Sequence, residues 1–273
     1  MFRFLSTLLL VSAALDAAWG ESGTTLRSHR AVYDVTLADV SDRSGIRSID
    51  GRIVYEFKGS QCEGYSTRYR FVTRVQTARK SFVSDDRTTT FESSDGQDFN
   101  FVSQNYLNGQ LERDVRGSAK RGADGIAVNL TKPEEGVLEL PEAVFSTTHL
   151  LRIIEAAQAG QTIVETTLFD GSGDADSVTE TLAVIGKRQE ITAPAEGEGA
   201  GVAGTLDGTS AWPASVSYFD EGTLEGGGER TPIYQVSFKV YPSGVTRDLT
   251  MRFRDYTLRG ALQTIEFLPQ GEC

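Results

Sequence analysis

Two cysteines, two histidines and one aspartate-rich turn are the residues through which this chain could do chemistry. Cys62 lies in an early strand-rich stretch and Cys273 is the last residue. A catalytic thiol rarely ends a chain, so the residues favour a structural disulfide over two free thiols, provided the compartment is oxidising. A bridge closing so much of the chain would stabilise it by about 5 kcal/mol at most, because native strain and residual unfolded structure reduce the effect.

The other candidates are weaker. His29 and His149 have no spacing with cysteine or carboxylate that would hold zinc, so no metal site is expected. His149 opens a helical segment, where capping or a buried polar contact is the commoner use of the ring. Asp170, Asp174 and Asp176 alternate through Asp170-Gly171-Ser172-Gly173-Asp174-Ala175-Asp176, yet a calcium loop would need glycine at its sixth position and an acid at its twelfth, where Thr181 stands. A plain turn is expected there. Gly199-Ala200-Gly201-Val202-Ala203-Gly204 spells the dinucleotide fingerprint, but no apolar strand leads into it and no periodic helix follows. It reads as a glycine-rich loop, and no cofactor is expected. No serine sits in a nucleophile elbow, so a hydrolase would have only His149, Asp170 and Asp174 to work with.

The N-terminus decides the compartment. Arg3 precedes the apolar run Leu8 to Val11 with Ala13, Ala14 and Leu15, and Ala18-Trp19-Gly20 supplies small residues for cleavage near Glu21. Residues 1–20 therefore read as an export signal, too short for a lasting span, with no cysteine at the cleavage point to carry a lipid anchor. The formal charge of −11 argues against nucleic acid and anionic lipid surfaces as partners. About 250 remaining residues suffice for one β domain.

Alternation of apolar and polar residues predicts strands over 30–37, 49–57, 64–75, 88–93, 98–106, 110–116, 125–130 and 136–140, and again over 162–169, 178–185, 216–219, 233–241, 245–256 and 261–268. Asn108-Gly109 suits a tight hairpin turn. In the third strand Tyr65, Thr67, Tyr69, Phe71 and Val75 share one face, and Arg68, Arg70 and Arg74 make the other wet and cationic. One helix interrupts the series over 147–159, with Leu150, Ile153, Ile154 and Ala157 as its stripe, Ser146 or Thr147 as its cap and Gly160 as its stop. So wide an apolar arc should pack into a concave sheet. Residues 192–210, rich in Gly, Ala and Glu, read as a mobile surface loop, and 221–229 as a hairpin tip. The fold class is mainly β, antiparallel, with one central amphipathic helix in a single domain over 21–273.

Several stretches together resemble a known family: His29-Arg30-Ala31-Val32-Tyr33-Asp34, Gly51-Arg52-Ile53-Val54-Tyr55-Glu56, Gly59-Ser60-Gln61-Cys62-Glu63-Gly64-Tyr65, and Thr148-His149-Leu150. Phe169-Asp170-Gly171-Ser172, Trp212-Pro213, Pro232-Ile233-Tyr234, Gly244-Val245-Thr246-Arg247-Asp248-Leu249 and the terminal Cys273 complete the set. They are similar to the periplasmic cell-envelope integrity proteins typified by EipB, long described as a domain of unknown function. The resemblance implies a periplasmic protein of Gram-negative bacteria, strands wound as an overlapping β-spiral or open barrel-like sheet, and a disulfide joining Cys62 to Cys273. It implies envelope maintenance without enzymatic activity, a tetratricopeptide-repeat periplasmic protein as a partner class, and a loose similarity to lipoprotein carriers whose curved sheets hold acyl chains. Gly173, where the family tends to an acid, and the long loop before Trp212 depart from the pattern.

Three functions compete on this reading. The first is a non-catalytic envelope factor binding a protein or a lipid-like ligand, and the second a lipid or lipoprotein carrier with an apolar groove. A hydrolase of envelope polymers is the third.

Overall fold

The computed structural model describes residues 24–206, 209–220 and 230–271. The expected export signal, the 221–229 tip and Cys273 lie outside the described residues.

Alternation builds the first half as a continuous meander. β1 (His29–Val40), β2 (Ile46–Ser60), β3 (Gly64–Thr77), β4 (Ser81–Glu92), β5 (Asp98–Leu107), β6 (Gln110–Arg121), β7 (Ile126–Lys132) and β8 (Gly136–Leu140) each pair antiparallel with the one before. The β5–β6 turn holds Asn108 at φ 51° and Gly109 at φ 82°, the left-handed pair that the dipeptide predicts. The chain then crosses through α1 (Ser146–Gln158) and lays down β9 (Ile163–Leu168) and β10 (Thr179–Ile185). After the two-residue β11 (Gln189–Glu190) and the short α2 (Ala200–Leu206) come β12 (Ser210–Asp220), β13 (Tyr234–Val240), β14 (Thr246–Phe253) and β15 (Tyr256–Phe267).

The sheet runs β8-β7-β6-β5-β4-β3-β2-β1-β15-β14-β13-β12-β10-β9, with β11 beside β12. Its two edge strands are β8 and β9, and α1 is the connection between them. The sheet stays open: among the described residues, Val144 makes the one bridge beyond β8, to Leu168 of β9. The antiparallel meander is what alternation predicts, and the open barrel-like form is what the family resemblance implies. One difference is local, since the strand expected over 245–256 ends at Phe253 and turns through Arg254 and Asp255 into β15.

The expected helix is present. Ile153, Ile154, Ala156 and Ala157 are buried among Phe57, Tyr65, Ala183, Ile185, Trp212 and Val216 of the concave sheet face. Gly160 at φ 74° ends the helix, with its N–H donating to the Ala157 carbonyl and that of Gln161 to Ala156. The start differs from expectation. Phe145 occupies the cap position with no side-chain cap of its own, because neither Ser146 nor Thr147 fills that role. Glu92 of β4 reaches over instead, accepting from the Thr147 N–H at 2.6 Å, the Thr148 N–H at 2.9 Å and the Thr148 hydroxyl. A buried helix start leaves amide donors without water, and an acceptor carrying negative charge suits both them and the helix dipole.

The 192–210 segment also departs from the surface loop that was expected. Val202 and Leu206 of α2 are buried with Ala31, Tyr33, Leu258 and Leu262. Gly199 donates its N–H to the Leu262 carbonyl at 3.0 Å, and a β-carbon on it would collide with the Gln263 carbonyl. The fingerprint glycine thus serves a close backbone approach. Two apolar residues one turn apart are too faint a periodic signal, and the decisive partner is remote: Arg247, 1% exposed, donates Nε to Glu198 Oε1 at 2.7 Å, a second bond to Oε2, and Nη1 to the Tyr241 hydroxyl at 3.0 Å.

Removing one member of a buried ion pair strands the other. Arg247→Met or Glu198→Gln alone should therefore cost about 3–5 kcal/mol of unfolding free energy in urea titrations, whereas Arg247→Met with Glu198→Leu should recover most of it. Additive losses in the double variant would show that the two side chains act independently.

Candidate functional site

The candidate site is the concave face of the sheet, and the register sets its lining. Side chains directly opposite in an antiparallel ladder share a face, so Tyr218, Tyr234 and Phe253 line up across β12, β13 and β14. Their rings stack with centroids 4.2 Å and 6.0 Å apart, and Tyr256 of β15 continues the row at 4.8 Å from Phe253. From the meander half, Tyr69, Phe71 and Val75 of β3 pack against the same core, as do Leu37 and Ile46. All of these lining residues are only half-buried, unlike Tyr33, Ile53 or Leu262 deeper in the sheet.

Polar groups border the aromatic row. Burial raises the Tyr69 hydroxyl pKa, and the charge of Asp86 adds to it; burial, Tyr218 and Asp170 do the same for Tyr234. These phenols stay protonated and able to donate. Asp86 is itself braced by Asn105 and Ser84. The arrangement offers apolar area with hydroxyl donors at its margin, which suits an amphiphile better than a polar metabolite. A cleft of about 600 Å³ lies between the end of α1 and Gly186, Lys187 and Arg188, with Trp212 and Pro242 among its lining.

The catalytic candidates go to separate tasks. His149 is 7% exposed, and its Nε2 lies 3.0 Å from the Thr181 hydroxyl, which donates to the Thr166 carbonyl at 2.8 Å. Since that hydroxyl has spent its proton, His149 must donate from Nε2, and the ring ties α1 to the β9–β10 pair. Burial, with the Arg152 charge, pulls His149 down to about 4. Asp170 accepts the Ser172 N–H at 2.9 Å as a turn brace, and Asp174 faces Arg113 at 3.5 Å in an exposed pair. Among the described residues no hydrogen bond or ion pair joins the three, and no group of His, Cys, Asp and Glu is placed to hold a metal. His29 is buried as well, donating Nδ1–H to the Arg27 carbonyl at 2.7 Å.

Cys62 is exposed in the β2–β3 turn. The chain's tail comes to this turn: Gln270 donates Nε2 to the Gly59 carbonyl at 2.7 Å and accepts the Ser28 N–H at 2.9 Å, while Gly271 lies against the Glu63 carboxylate. Glu92, Arg247 and Glu198 are the important polar residues that sequence reasoning missed. Nothing local to any of them signals its partner, which lies some 50 residues away in each case.

A histidine held well below its ordinary value of 6.5 contributes stability that is complete above that value and lost as pH falls toward its folded value. His149 alone should make the protein lose about 3 kcal/mol between pH 6.5 and pH 4. Burial raises Glu92, which works in the opposite sense and offsets part of the loss at the acid end. His149→Gln should flatten the pH dependence of urea midpoints across this window; an unchanged slope would mean that another group controls it.

Three comparisons bear on what the chain is. Residues 21–269 match the family described as EipB-like. The cell envelope integrity protein EipB of Brucella abortus (strain 2308) is 41% identical over 268 residues, spanning 98% of this chain and 93% of that protein. A Brucella abortus crystal structure, described as a beta-barrel-like protein of domain of unknown function DUF1849, superposes with a TM-score of 0.83 at 42% identity, covering 89% of this chain and 99% of the other. With its open antiparallel spiral and a match along nearly its whole length, this chain belongs to the EipB-like family.

Proposed function

We propose that this chain is an exported, non-enzymatic periplasmic protein that maintains the cell envelope by holding a lipid-like ligand on its concave face. The observation that carries the ligand is the half-buried aromatic row Tyr218, Tyr234, Phe253 and Tyr256 facing Tyr69 and Phe71. Single accessible rings are ordinary, but a contiguous row of them on one face is an apolar patch of the kind that marks a binding groove. The envelope role is supported by the relative's name, and the export by the N-terminal sequence. Against catalysis stand the neutral, tethered His149 and the bracing roles of Asp170 and Asp174.

The disulfide between Cys62 and Cys273 belongs to the same proposal, supported by the docking of Gln270 and Gly271 at the Cys62 turn. Thiol titration of the unfolded, unreduced mature protein should find no free sulfhydryl. Cys62→Ser should lower the thermal midpoint and speed proteolysis of the tail. Two titratable thiols, or identical melting with and without reductant, would remove the staple.

For the ligand, solvent extracts of the natively purified mature protein should contain acyl species by mass spectrometry, and a fluorescent fatty acid should bind and be displaced. Tyr234→Asp should abolish both signals, with Tyr256→Ser as a milder variant if the first melts early. Extracts free of lipid together with no probe binding would refute the ligand, and wild-type resistance to detergent in a deletion strain would refute the envelope role.

A further inference from the structure

We infer that the convex face of the β3–β4 hairpin, with the neighbouring β5–β6 tip, docks on an anionic phospholipid surface. The overall charge of −11 argues otherwise, but the fold segregates that charge. Alternation sends Arg68, Arg70 and Arg74 of β3 and Arg87 of β4 outward, and Arg79 and Lys80 form the turn between the strands. Asp85 is the one acid on the outward face of this hairpin. It holds both Arg70, by two bonds of 2.9 and 2.8 Å, and Arg87, at 2.6 Å. Its carboxyl is driven down to about 2, chiefly by the Arg70 bonds, and stays ionised. Arg70 and Arg87 stand directly opposite each other in the ladder, an arrangement of like charge that one aspartate cannot neutralise.

The next hairpin repeats the surplus. Asp114 of β6 takes both Arg116 at 2.8 Å and Lys132 at 3.0 Å. Among the described residues Arg74, Arg79 and Lys80 have no acidic partner within ion-pair distance, although Asp50 of β2 lies across the ladder from Arg74 and Glu56 across from Arg68.

The second observation is apolar. Leu107 and Leu111, 38% and 49% exposed, flank the Asn108-Gly109 turn. That tip is locked to β4, since Asn108 donates its N–H to the Val83 carbonyl at 2.8 Å and its side chain accepts the Val83 N–H at 3.0 Å. It therefore sits beside the Arg79–Lys80 turn, with Leu111, opposite Tyr106, on the convex side and Leu107, opposite Ser84, exposed at the concave margin of the same tip. Glu112 is the one acid at the tip, outnumbered by the cations of the adjacent turn.

Cations alone would suit any polyanion. Two leucines at a rigid tip beside them suit a surface with an apolar interior under phosphate headgroups, where leucine inserts and guanidinium pairs with phosphate. The occupant is accordingly an anionic bilayer leaflet. This inference rests on the chain working at the envelope but not on a ligand in the concave face, so the two can fail separately.

The test is cosedimentation of the mature protein with phosphatidylcholine vesicles, with and without phosphatidylglycerol. Binding is expected only to the anionic vesicles and should weaken with added salt. Arg74→Glu, Arg79→Glu and Lys80→Glu together should lower affinity by at least about a hundredfold, taking roughly fivefold per cation. Leu107→Ser with Leu111→Ser should weaken binding while leaving the melting curve unchanged; Leu111→Ser alone serves if the pair melts early. Equal binding to both vesicles, no binding to either, or indifference to the charge reversals would overturn the inference. So would binding to polyglutamate as strong as to vesicles and indifferent to the leucines, which would mark an acidic protein as the occupant.

Discussion

A helix buried at its own N-terminus is the constraint on which the rest of this fold depends. α1 fills the hollow of the sheet and is the only connection between its two edge strands, so it must start inside the protein, where water cannot serve its first amides. Glu92 meets that need from the far end of β4. A buried carboxylate is costly, and burial raises its pKa, but three bonds and the helix dipole offset the cost. Once the helix is held there, Phe145 can stack on Phe99 at 4.8 Å and the two ends of the sheet approach at Val144.

Local structure was largely legible in the sequence, because its signals are local. Alternation marks strands wherever one face is wet, Asn108-Gly109 specifies its turn, and Gly160 ends its helix. What stayed hidden is long-range pairing between polar groups. Glu92 lies inside the strand expected over 88–93, and Arg247 in a stretch that stands out only for its family resemblance, so neither position points to a distant partner. The stretch around Glu198 has too few apolar residues to suggest a core, yet its carboxylate is fully enclosed once Arg247 arrives. The concave lining was only half legible: periodicity places Tyr69 and Phe71 on one face, but only the order of strands brings Tyr218 and Tyr234 into a row with Phe253 and Tyr256, which pack on the same core as Tyr69 and Phe71. No residue pattern specifies that order, since β1 lies beside β15 across the whole length of the chain.

Charge and apolar area are distributed by face rather than by segment. Within one hairpin, Arg68 and Arg70 look outward while Tyr69 and Phe71 look into the hollow, so a single strand serves two surfaces of opposite character. A mean over the chain conceals this division. The separation lets an apolar interior and a cationic hairpin face draw on different residues of the same strand.

The neighbour relation of β1 and β15 has a consequence for how the molecule comes into being. β1 is among the first segments to leave any channel that passes the chain from its N-terminus, and the strand that seals its second side is the last. Until then one long margin of β1 is bare, a template for stray pairing. Completion is therefore a late event with very high sequence separation, and slow assembly is built into the topology rather than into any one residue.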